Sequence, residues 1–448
     1  MEKQLLTTNQ TLSMHERPEL ILQKLIQFNT TNPPGHEKAC INYIKDLLGA
    51  YGIVSTIVSR DENRPNLIAR LKGEGDAAPL LLYGHVDVVT TENQRWTHDP
   101  FAGEIIDGYV WGRGAVDMKG CVAMMIAAFL KAKVEQTQLS GDVLLVILSD
   151  EEDGGDDGAK FLVEQHPELF DGVHYALGEF GGFSMELEGV RFYPIMVAEK
   201  QMCSLKVTLR GQGGHGSMPV KDGVMNKLAV FLEKLNQPLP IHITPVIMEM
   251  IEGIANEMPF PKKQALKQLA NPRMTRTILK LLGKQGQLFE ALLHHTVAAT
   301  IIHTSDKVNV IPGEVTVEID GRILPGFTEE QFLHELKELI KDDEIEIEVT
   351  RADITNAKVD MELFDRLATI IKEKDPDGVP IPFVLPGVTD GRFLSSLGIQ
   401  TYGFTPLRLP PEFDFLKTVH AEDERVPVDA LYFGADGIFK ALQSFGNK

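Results

Sequence analysis

Short apolar segments that alternate with helical ones constrain the fold of this chain more than any other feature. The runs NLIARLKG, PLLLYGHVDVV and GDVLLVILSD have the length and composition of buried strands bounded by turns. The segment KGCVAMMIAAFLKAKVEQ, which separates the second run from the third, has the length and period of a helix. This order predicts an α/β domain in which crossover helices connect the strands of a parallel sheet.

The pattern changes in the middle of the chain. Between residues 200 and 351 the predicted elements follow the order strand, helix, strand, strand, helix, strand, which is typical of a ferredoxin-like α+β unit. A Met-rich helical insertion, from about residue 241 to residue 297, precedes the second of these strands. We therefore expect a first domain built from residues 1–199 and 352–448, with residues 200–351 inserted into it.

Charge and cysteine usage limit the class of protein. The 448 residues include 64 acidic and 44 basic ones, a formal net charge of −20, so nucleic acid and anionic membranes are poor partners. Cys40, Cys121 and Cys203 form no CxxC pair and indicate neither a disulfide framework nor a thiolate zinc site. The start, MEKQLLTTNQTLSMHERPEL, has no apolar signal-peptide core, and no run approaches a membrane span. We expect a cytoplasmic protein.

Polar side chains follow the ends of the predicted strands. His85 and Asp87 end one strand, Asp117 precedes a helix, residues 150–152 follow the next strand, and Glu179 ends another. The carboxyl ends of parallel strands share one edge of a sheet, so these groups should converge. A divalent cation would relieve the repulsion between their carboxylates, and imidazole with carboxylates suits zinc, cobalt or manganese. A bridging carboxylate would make this a two-metal hydrolase site.

Other interpretations of these segments stay open. An isolated HxD is usually a surface pair, and SDEEDGGDDG has the composition of a solvated acidic turn. Residues 211–216, GQGGHG, formally match the dinucleotide-binding GxGxxG motif, although Pro219 and Asp222 delay the following helix. The alternatives are therefore an NAD(P)-dependent oxidoreductase and a catalytically silent metal-binding or scaffold protein. The presence of Glu151 argues against the silent protein.

Ten motifs occur in a fixed order along nearly the whole chain. They are NPPGHE, YGHVDVV, FAGEIIDGYVWGRGAVDMKG, LSDEEDGG, GEFGG, GGHGSMP, NVIPG, DGRILPG, GVTDGRF and VHAEDERVPV. In them the sequence resembles the dinuclear zinc peptidases and deacylases, which include aminoacylase, glutamate carboxypeptidase, acetylornithine deacetylase and succinyl-diaminopimelate desuccinylase. It is most similar to the branch of carboxypeptidase S and N-fatty-acyl amino acid hydrolase. The resemblance implies an α/β catalytic domain with a mixed central sheet flanked by helices, and an inserted ferredoxin-like lid domain.

The resemblance also implies the metal ligands. His85 and Glu179 would bind one zinc ion, Glu152 and His420 would bind a second, and Asp117 would bridge the two. Cobalt or manganese would substitute for zinc. The peptide bond that follows Asp117 would be cis.

Further roles follow from the same resemblance. Glu151 would be the general base, Asp87 would orient His85, and His215 would stabilise the oxyanion. The residues that would hold the substrate are Asn309, Arg322 and Arg392. The implied substrates are N-acyl amino acids or short peptides with a free carboxylate, and a dipeptidase is the alternative within the family. The lid would form a homodimer, in which His215 would reach the partner's active site. The helical insertion would line an apolar acyl pocket, build an interface or cover the usual one.

Overall fold

The computed structural model describes residues 13–283, 286–355 and 359–446. The chain folds into two compact units. The first contains Met1–Val197, Asp360–Phe383 and Thr389–Lys448, and the second contains Ala198–Val359 and Val384–Val388. The first twelve residues, which belong to the segment without a signal-peptide core, lie outside the described ranges. Within those ranges, no helix combines the length and apolarity that crossing a membrane requires.

The first part of the chain alternates strands and helices. Its strands are β1 (Ser55–Val58), β2 (Asn66–Leu71), β3 (Ala77–His85), β4 (Ile105–Ile106), β5 (Tyr109–Trp111), β6 (Gly141–Leu148), β7 (Tyr175–Gly178), β8 (Met185–Leu187) and β9 (Val190–Glu199). Its α-helices are α1 (Pro18–Ile26), α2 (Lys38–Ala50), α3 (Lys119–Val134) and α4 (Ala159–Gln165). A 3-10 turn, Glu151–Asp153, follows β6.

The second unit combines further strands with further helices. The strands are β10 (Gln201–Arg210), β11 (Gly214–His215), β12 (Thr296–His303), β13 (Val310–Ile311), β14 (Glu314–Ile323) and β15 (Glu346–Asp353). The helices are α5 (Val224–Leu235), α6 (Pro245–Glu257), α7 (Lys262–Lys267), α8 (Thr275–Leu282), α9 (Gly286–Leu293) and α10 (Glu329–Ile340). Helices α6 to α9 form the insertion that precedes β12.

The main sheet of the second unit has the order β12-β14-β10-β15, and each neighbouring pair is antiparallel. This order and the connections through α5 and α10 are those of a ferredoxin-like unit. The alternating burial along β10 places one face of the sheet in the core, where it meets Phe231 of α5 and Phe332 of α10. A capping box between Thr328 and Gln331 fixes the start of α10.

The last part of the chain completes the first unit. Its elements are α11 (Glu362–Lys374), β16 (Val379–Leu385), α12 (Gly391–Ser396), β17 (Gln400–Gly403), α13 (Phe415–Thr418), β18 (Arg425–Pro427) and α14 (Val428–Ser444). The nine-stranded sheet has the order β1-β2-β6-β3-β7-β17-β9-β16, with β8 paired to β9. The four strands β6, β3, β7 and β17 are parallel, whereas β1, β2 and β9 run antiparallel to a neighbour.

Helices pack against this mixed sheet. Helix α3 packs on β3 and β6 and is covered in turn by α1 and α14, while α2 packs on β1 and β2. Residues of α3 are buried on nearly every face, as expected for a helix that is enclosed between other elements. The fold class implied by the resemblance, an α/β domain with a mixed sheet flanked by helices, is confirmed, and the sheet is not purely parallel.

Lys200, in the second unit, has a buried amine, and its burial makes the folding stability depend on pH. Lys200 is 1% exposed and its Nζ donates to His294 O at 2.8 Å and to Thr296 Oγ1 at 3.2 Å. Burial, with a smaller effect of Arg322, lowers the pKa of Lys200 to about 7. The unfolded amine titrates near its ordinary value of ~10.4, so folding stability is lost as the pH falls from there to about 7 and then levels off.

We therefore expect the free energy of unfolding to rise by about 2 kcal/mol between pH 7.5 and pH 9 on account of Lys200. Lys200→Met carries no titrating amine at this position and should lack that rise. Urea unfolding of both proteins at the two pH values measures the difference. An equal pH dependence in the two proteins would show that Lys200 is already ionised in the folded state.

Candidate metal centre

Five predicted ligands of the first unit are delivered by five different segments. His85 ends β3, Glu152 lies in the turn after β6, and Glu179 directly follows β7. Asp117 lies just before α3, and His420 lies in the loop between α13 and β18. Because β3, β6 and β7 are neighbouring parallel strands, their carboxyl ends place these ligands at one edge of the sheet.

Asp117 lies at the centre of this cluster. Its Oδ1 is 3.4 Å from His85 Nε2, and its Oδ2 is 3.1 Å from His420 Nε2. His85 Nε2 is also 3.6 Å from Glu179 Oε2, and His420 Nε2 is 3.3 Å from Glu152 Oε2. The cluster therefore has two halves, each with one histidine and one glutamate, and Asp117 presents one oxygen to each half. The peptide bond Asp117–Met118 is cis.

Asp87 determines which ring nitrogen of a neutral His85 carries the proton. Nδ1 lies 3.1 Å from the backbone oxygen of Asp87 and 3.4 Å from its Oδ1, and both are acceptors. Nδ1 therefore carries a proton, and in the neutral ring the lone pair is on Nε2, which faces the carboxylates of Asp117 and Glu179. Nε2 of His85 and Oε1 of Glu152 are buried and have no hydrogen-bond partner among the described residues. A bound cation would satisfy both atoms, and imidazole with carboxylate ligands suits zinc, cobalt or manganese.

Asp87 connects His85 to the turn that bears the two glutamates. Its Oδ1 accepts a hydrogen bond from the backbone N–H of Glu151 at 3.2 Å, and its Oδ2 accepts one from that of Glu152 at 3.0 Å. Asn32 Nδ2 donates to the same Oδ2 at 2.9 Å. Burial opposes the charge of Asp87, but the hydrogen bond from His85 contributes to a net lowering of its pKa. One buried carboxylate thus fixes the positions of four site residues.

The electrostatics of the cluster favour a bound cation. Burial raises the pKa values of the Glu152 and Glu179 carboxyl groups. The hydrogen bonds to Asp117 and Glu152 raise the pKa of His420 to about 10. Without a cation the cluster therefore holds protons at neutral pH. A divalent ion would displace them and neutralise the remaining carboxylates.

Glu151 and Arg392 lie beside this cluster. Burial, followed by repulsion from Glu179, raises the pKa of Glu151 well above its ordinary value. Arg392 Nη1 is 3.9 Å from Glu151 Oε1. The guanidinium also donates to the backbone oxygens of Thr389 at 3.0 Å and Gly154 at 3.1 Å. The structure thus places the predicted base and one predicted substrate-binding arginine next to each other.

His215, Asn309 and Arg322 belong to the second unit. His215 is exposed, and its Nδ1 accepts a hydrogen bond from the Ser217 backbone N–H at 3.2 Å, so the neutral ring carries its proton on Nε2. Asn309 adjoins it, because Asn309 O accepts from the Gly216 N–H at 2.9 Å and β11 pairs with β13.

Arg322 forms a bidentate ion pair with the carboxylate of Asp320. Its Nε donates to Asp320 Oδ1 at 2.7 Å and its Nη2 donates to Asp320 Oδ2 at 3.0 Å. Its Nη1 is buried and makes no hydrogen bond within the described ranges. The predicted clamp on a substrate carboxylate would therefore require Arg322 to leave Asp320 or to use Nη1 alone.

The glycine-rich loop does not have the geometry of a dinucleotide site. Residues 211–216 follow β10 and include the short strand β11, and the next helix, α5, begins only at Val224. No helix N-terminus follows this fully described loop directly, although a phosphate would require one. The oxidoreductase alternative therefore has no support from the local structure.

The second unit contains a further group, His242, His295 and Glu335, whose side chains lie close enough to hold a metal ion. Nδ1 of His295 accepts a hydrogen bond from the Leu324 backbone N–H at 3.0 Å, so its Nε2 carries the proton. Nε2 lies 3.8 Å from Glu335 Oε2 and has no lone pair for a metal. His242 Nε2 donates to Glu335 Oε1 at 2.8 Å. This group is a partly buried polar contact, and we do not interpret it as a metal site.

Several residues of the site were not predicted as functional. All four are buried and lie in the quoted motifs NPPGHE, FAGEIIDGYVWGRGAVDMKG, GVTDGRF and VHAEDERVPV: Asn32, Arg113, Asp390 and Glu424. Both carboxylate oxygens of Asp390 lack a hydrogen-bond partner in the described part of the chain, and burial raises its pKa to about 7. Membership in a motif was the only signal in the sequence for these residues.

Comparison with known proteins agrees with this geometry. The model of peptidase family M20/M25/M40 matches residues 81–444. A probable carboxypeptidase S-like 2 of Dictyostelium discoideum is 28% identical over 382 residues, 81% of this chain and 71% of the relative. The human N-fatty-acyl-amino acid synthase/hydrolase PM20D1 is 27% identical over 384 residues, 82% of this chain and 74% of the relative. Both alignments include most of each protein.

A solved structure shows the same fold. The M20 family metallo-carboxypeptidase Sso-CP2 of Sulfolobus solfataricus superposes with a TM-score of 0.68 at 16% identity, over 95% of this chain and 98% of the other. The fold, the donor set and the family match define a metal-dependent hydrolase that acts on peptide or N-acyl amide bonds. The chain belongs to peptidase family M20/M25/M40.

Proposed function

We propose that this protein hydrolyses the amide bond of N-acyl amino acids or short peptides that carry a free carboxylate, with hydrophobic N-acyl amino acids as the preferred substrates. The observation that carries the proposal is the cluster around Asp117, in which one carboxylate faces His85 on one side and His420 on the other. The similarity to proteins described as carboxypeptidase S-like and as an N-fatty-acyl-amino acid synthase/hydrolase supports the substrate class.

The residues present fit two zinc ions. His85 and Glu179 would hold one, Glu152 and His420 would hold the other, and Asp117 would be shared. When bound, such a pair of ions lowers the pKa of a water molecule and polarises the substrate carbonyl. Asp87 supports this arrangement because it keeps the proton of His85 on Nδ1.

Glu151 is the proposed general base. Its raised pKa makes it a stronger proton acceptor than an exposed glutamate. It would accept a proton from the attacking water and return it to the leaving amine. Arg392, whose Nη1 lies 3.9 Å from Glu151 Oε1, would hold the substrate carboxylate close to that proton transfer.

The proposed roles of the second unit rest on the resemblance. His215 would stabilise the developing oxyanion, and the proton on its Nε2 makes it a suitable donor. Asn309 and Arg322 would contact the substrate. A homodimer formed through this unit remains part of the proposal.

A hydrolysis panel tests the substrate class. The protein is freed of metal, reconstituted with zinc or cobalt, and assayed with N-acetyl amino acids, N-long-acyl amino acids and dipeptides. We expect metal analysis to find about two ions per chain and the N-long-acyl amino acids to be cleaved fastest. Fewer than about one ion per chain after reconstitution would contradict the metal-dependent mechanism. If only the dipeptides are cleaved, the protein is a dipeptidase and the proposed acylase activity is wrong.

A further inference from the structure

His420 is the most exposed of the five proposed metal ligands. Its side chain is 48% exposed, whereas those of the other four ligands are no more than 9% exposed. It lies in an irregular loop with a backbone φ of +60°. The position of its imidazole therefore depends on the contacts of that loop.

A second loop segment, residues 94–97, is hydrogen-bonded to the loop that contains His420. It donates four hydrogen bonds to residues 420–423. They run from Gln94 Nε2 to His420 O (2.9 Å), from Arg95 N to Glu422 Oε2 (2.8 Å), from Thr97 N to Asp423 Oδ1 (2.7 Å) and from Thr97 Oγ1 to Asp423 Oδ2 (2.7 Å). Only the first of these bonds ends on the metal ligand itself.

The amide of Gln94 is itself fixed in one orientation. Its Oε1 accepts from Arg113 Nη2 at 2.7 Å and from Trp96 Nε1 at 3.0 Å. The amide nitrogen must therefore face His420. Arg113 Nη2 also donates to His420 O, at 3.3 Å, so two donors define the direction of that carbonyl.

The same network reaches the shared ligand. Arg113 Nη1 donates to Glu424 Oε2 at 2.7 Å. Oε1 of this fully buried carboxylate accepts from the backbone N–H groups of Val116 at 2.8 Å and Asp117 at 3.2 Å. A continuous path of hydrogen bonds thus joins the main chain at His420 to the main chain at Asp117.

We propose that Gln94 is a positioning residue which, together with Arg113 and Glu424, sets His420 against Asp117 and thereby sets the affinity of the metal position formed by Glu152 and His420. The inference rests on the proposed metal ligands. Groups that orient a ligand without touching the ion typically change metal affinity by about 10–100-fold when they are removed. Among the three, Gln94 is the residue that can be changed without removing a buried charge.

Cobalt titration of the metal-free protein, followed by visible absorption, tests this inference without an activity assay. Gln94→Leu keeps the size of the side chain and removes both functions of the amide. We expect one cobalt ion to bind as in the wild type and the other, at the position formed by Glu152 and His420, to bind about tenfold more weakly or worse. Gln94→Glu keeps the acceptor for Arg113 but cannot donate to His420 O, so it should also weaken cobalt binding at the position formed by Glu152 and His420.

The matched control is Gln27→Leu, since the amide of Gln27 donates to the backbone oxygen of Ala102 at 3.3 Å, outside the ligand loops. It should bind both ions as the wild type does. Thermal unfolding of the metal-free variants shows whether each is folded. Unchanged binding of both ions by Gln94→Leu, or equal weakening of both, would overturn the inference and leave the proposed function intact. A wild type that binds no pair of ions would overturn both.

Discussion

Glu151→Gln is expected to retain both metal ions and to lose amide hydrolysis by a factor of about 10²–10⁴. Glutamine has the shape of glutamate but cannot accept the proton of the attacking water. Burial and repulsion from Glu179 raise the pKa of Glu151, which makes it a stronger proton acceptor than an exposed glutamate. The kcat of the reconstituted variant and its metal content per chain are the two measurements.

Metal content decides between two roles for Glu151. Its carboxylate also lies in a group with His85 and Glu179 that could hold an ion. If Glu151→Gln loses an ion together with its activity, Glu151 is a ligand. If it retains both ions and its activity, another residue is the base. Glu164→Gln, the same exchange at an exposed position of α4, should change neither measurement.

The predicted ligands at the strand ends are the part of the candidate site that sequence reasoning alone brings together. His85, Glu152 and Glu179 each follow a short apolar run, and the geometry of parallel strands brings such positions together without any knowledge of long-range contacts. The alternation of elements predicted the parallel strands at the centre of the sheet for the same reason. It did not predict that β2 and β9 run antiparallel to their neighbours, because alternation carries no information about the direction of strands at the sheet edges.

His420 and its supporting contacts could not be derived in this way. It comes from an irregular loop that is 303 residues after Asp117 in the sequence, and only its motif indicated a role. Glu424 looks like one more surface acid in an acidic chain, yet it is fully buried and accepts from the backbone N–H of Val116. Such contacts depend on where two distant loops meet, and local periodicity does not encode that.

Asp117→Ala is expected to abolish binding of both metal ions, whereas His420→Ala should abolish binding of only one. Asp117 presents Oδ1 to His85 and Oδ2 to His420, so its removal takes a ligand from each half of the cluster and leaves two in each. His420→Ala leaves His85, Glu179 and Asp117 together. Since zinc sites in proteins keep at least three protein ligands, that half should still bind.

The two variants should therefore differ in how far zinc stabilises them. An ion at a hundredfold excess over its dissociation constant stabilises the folded state by about 2.7 kcal/mol, so the wild type should gain about 5 kcal/mol from two ions. His420→Ala should gain about half of this and Asp117→Ala close to none. Urea unfolding with and without zinc measures the gain, and metal analysis counts the ions. If zinc stabilises Asp117→Ala as much as it stabilises His420→Ala, then Asp117 binds only one ion and does not bridge the two halves of the cluster.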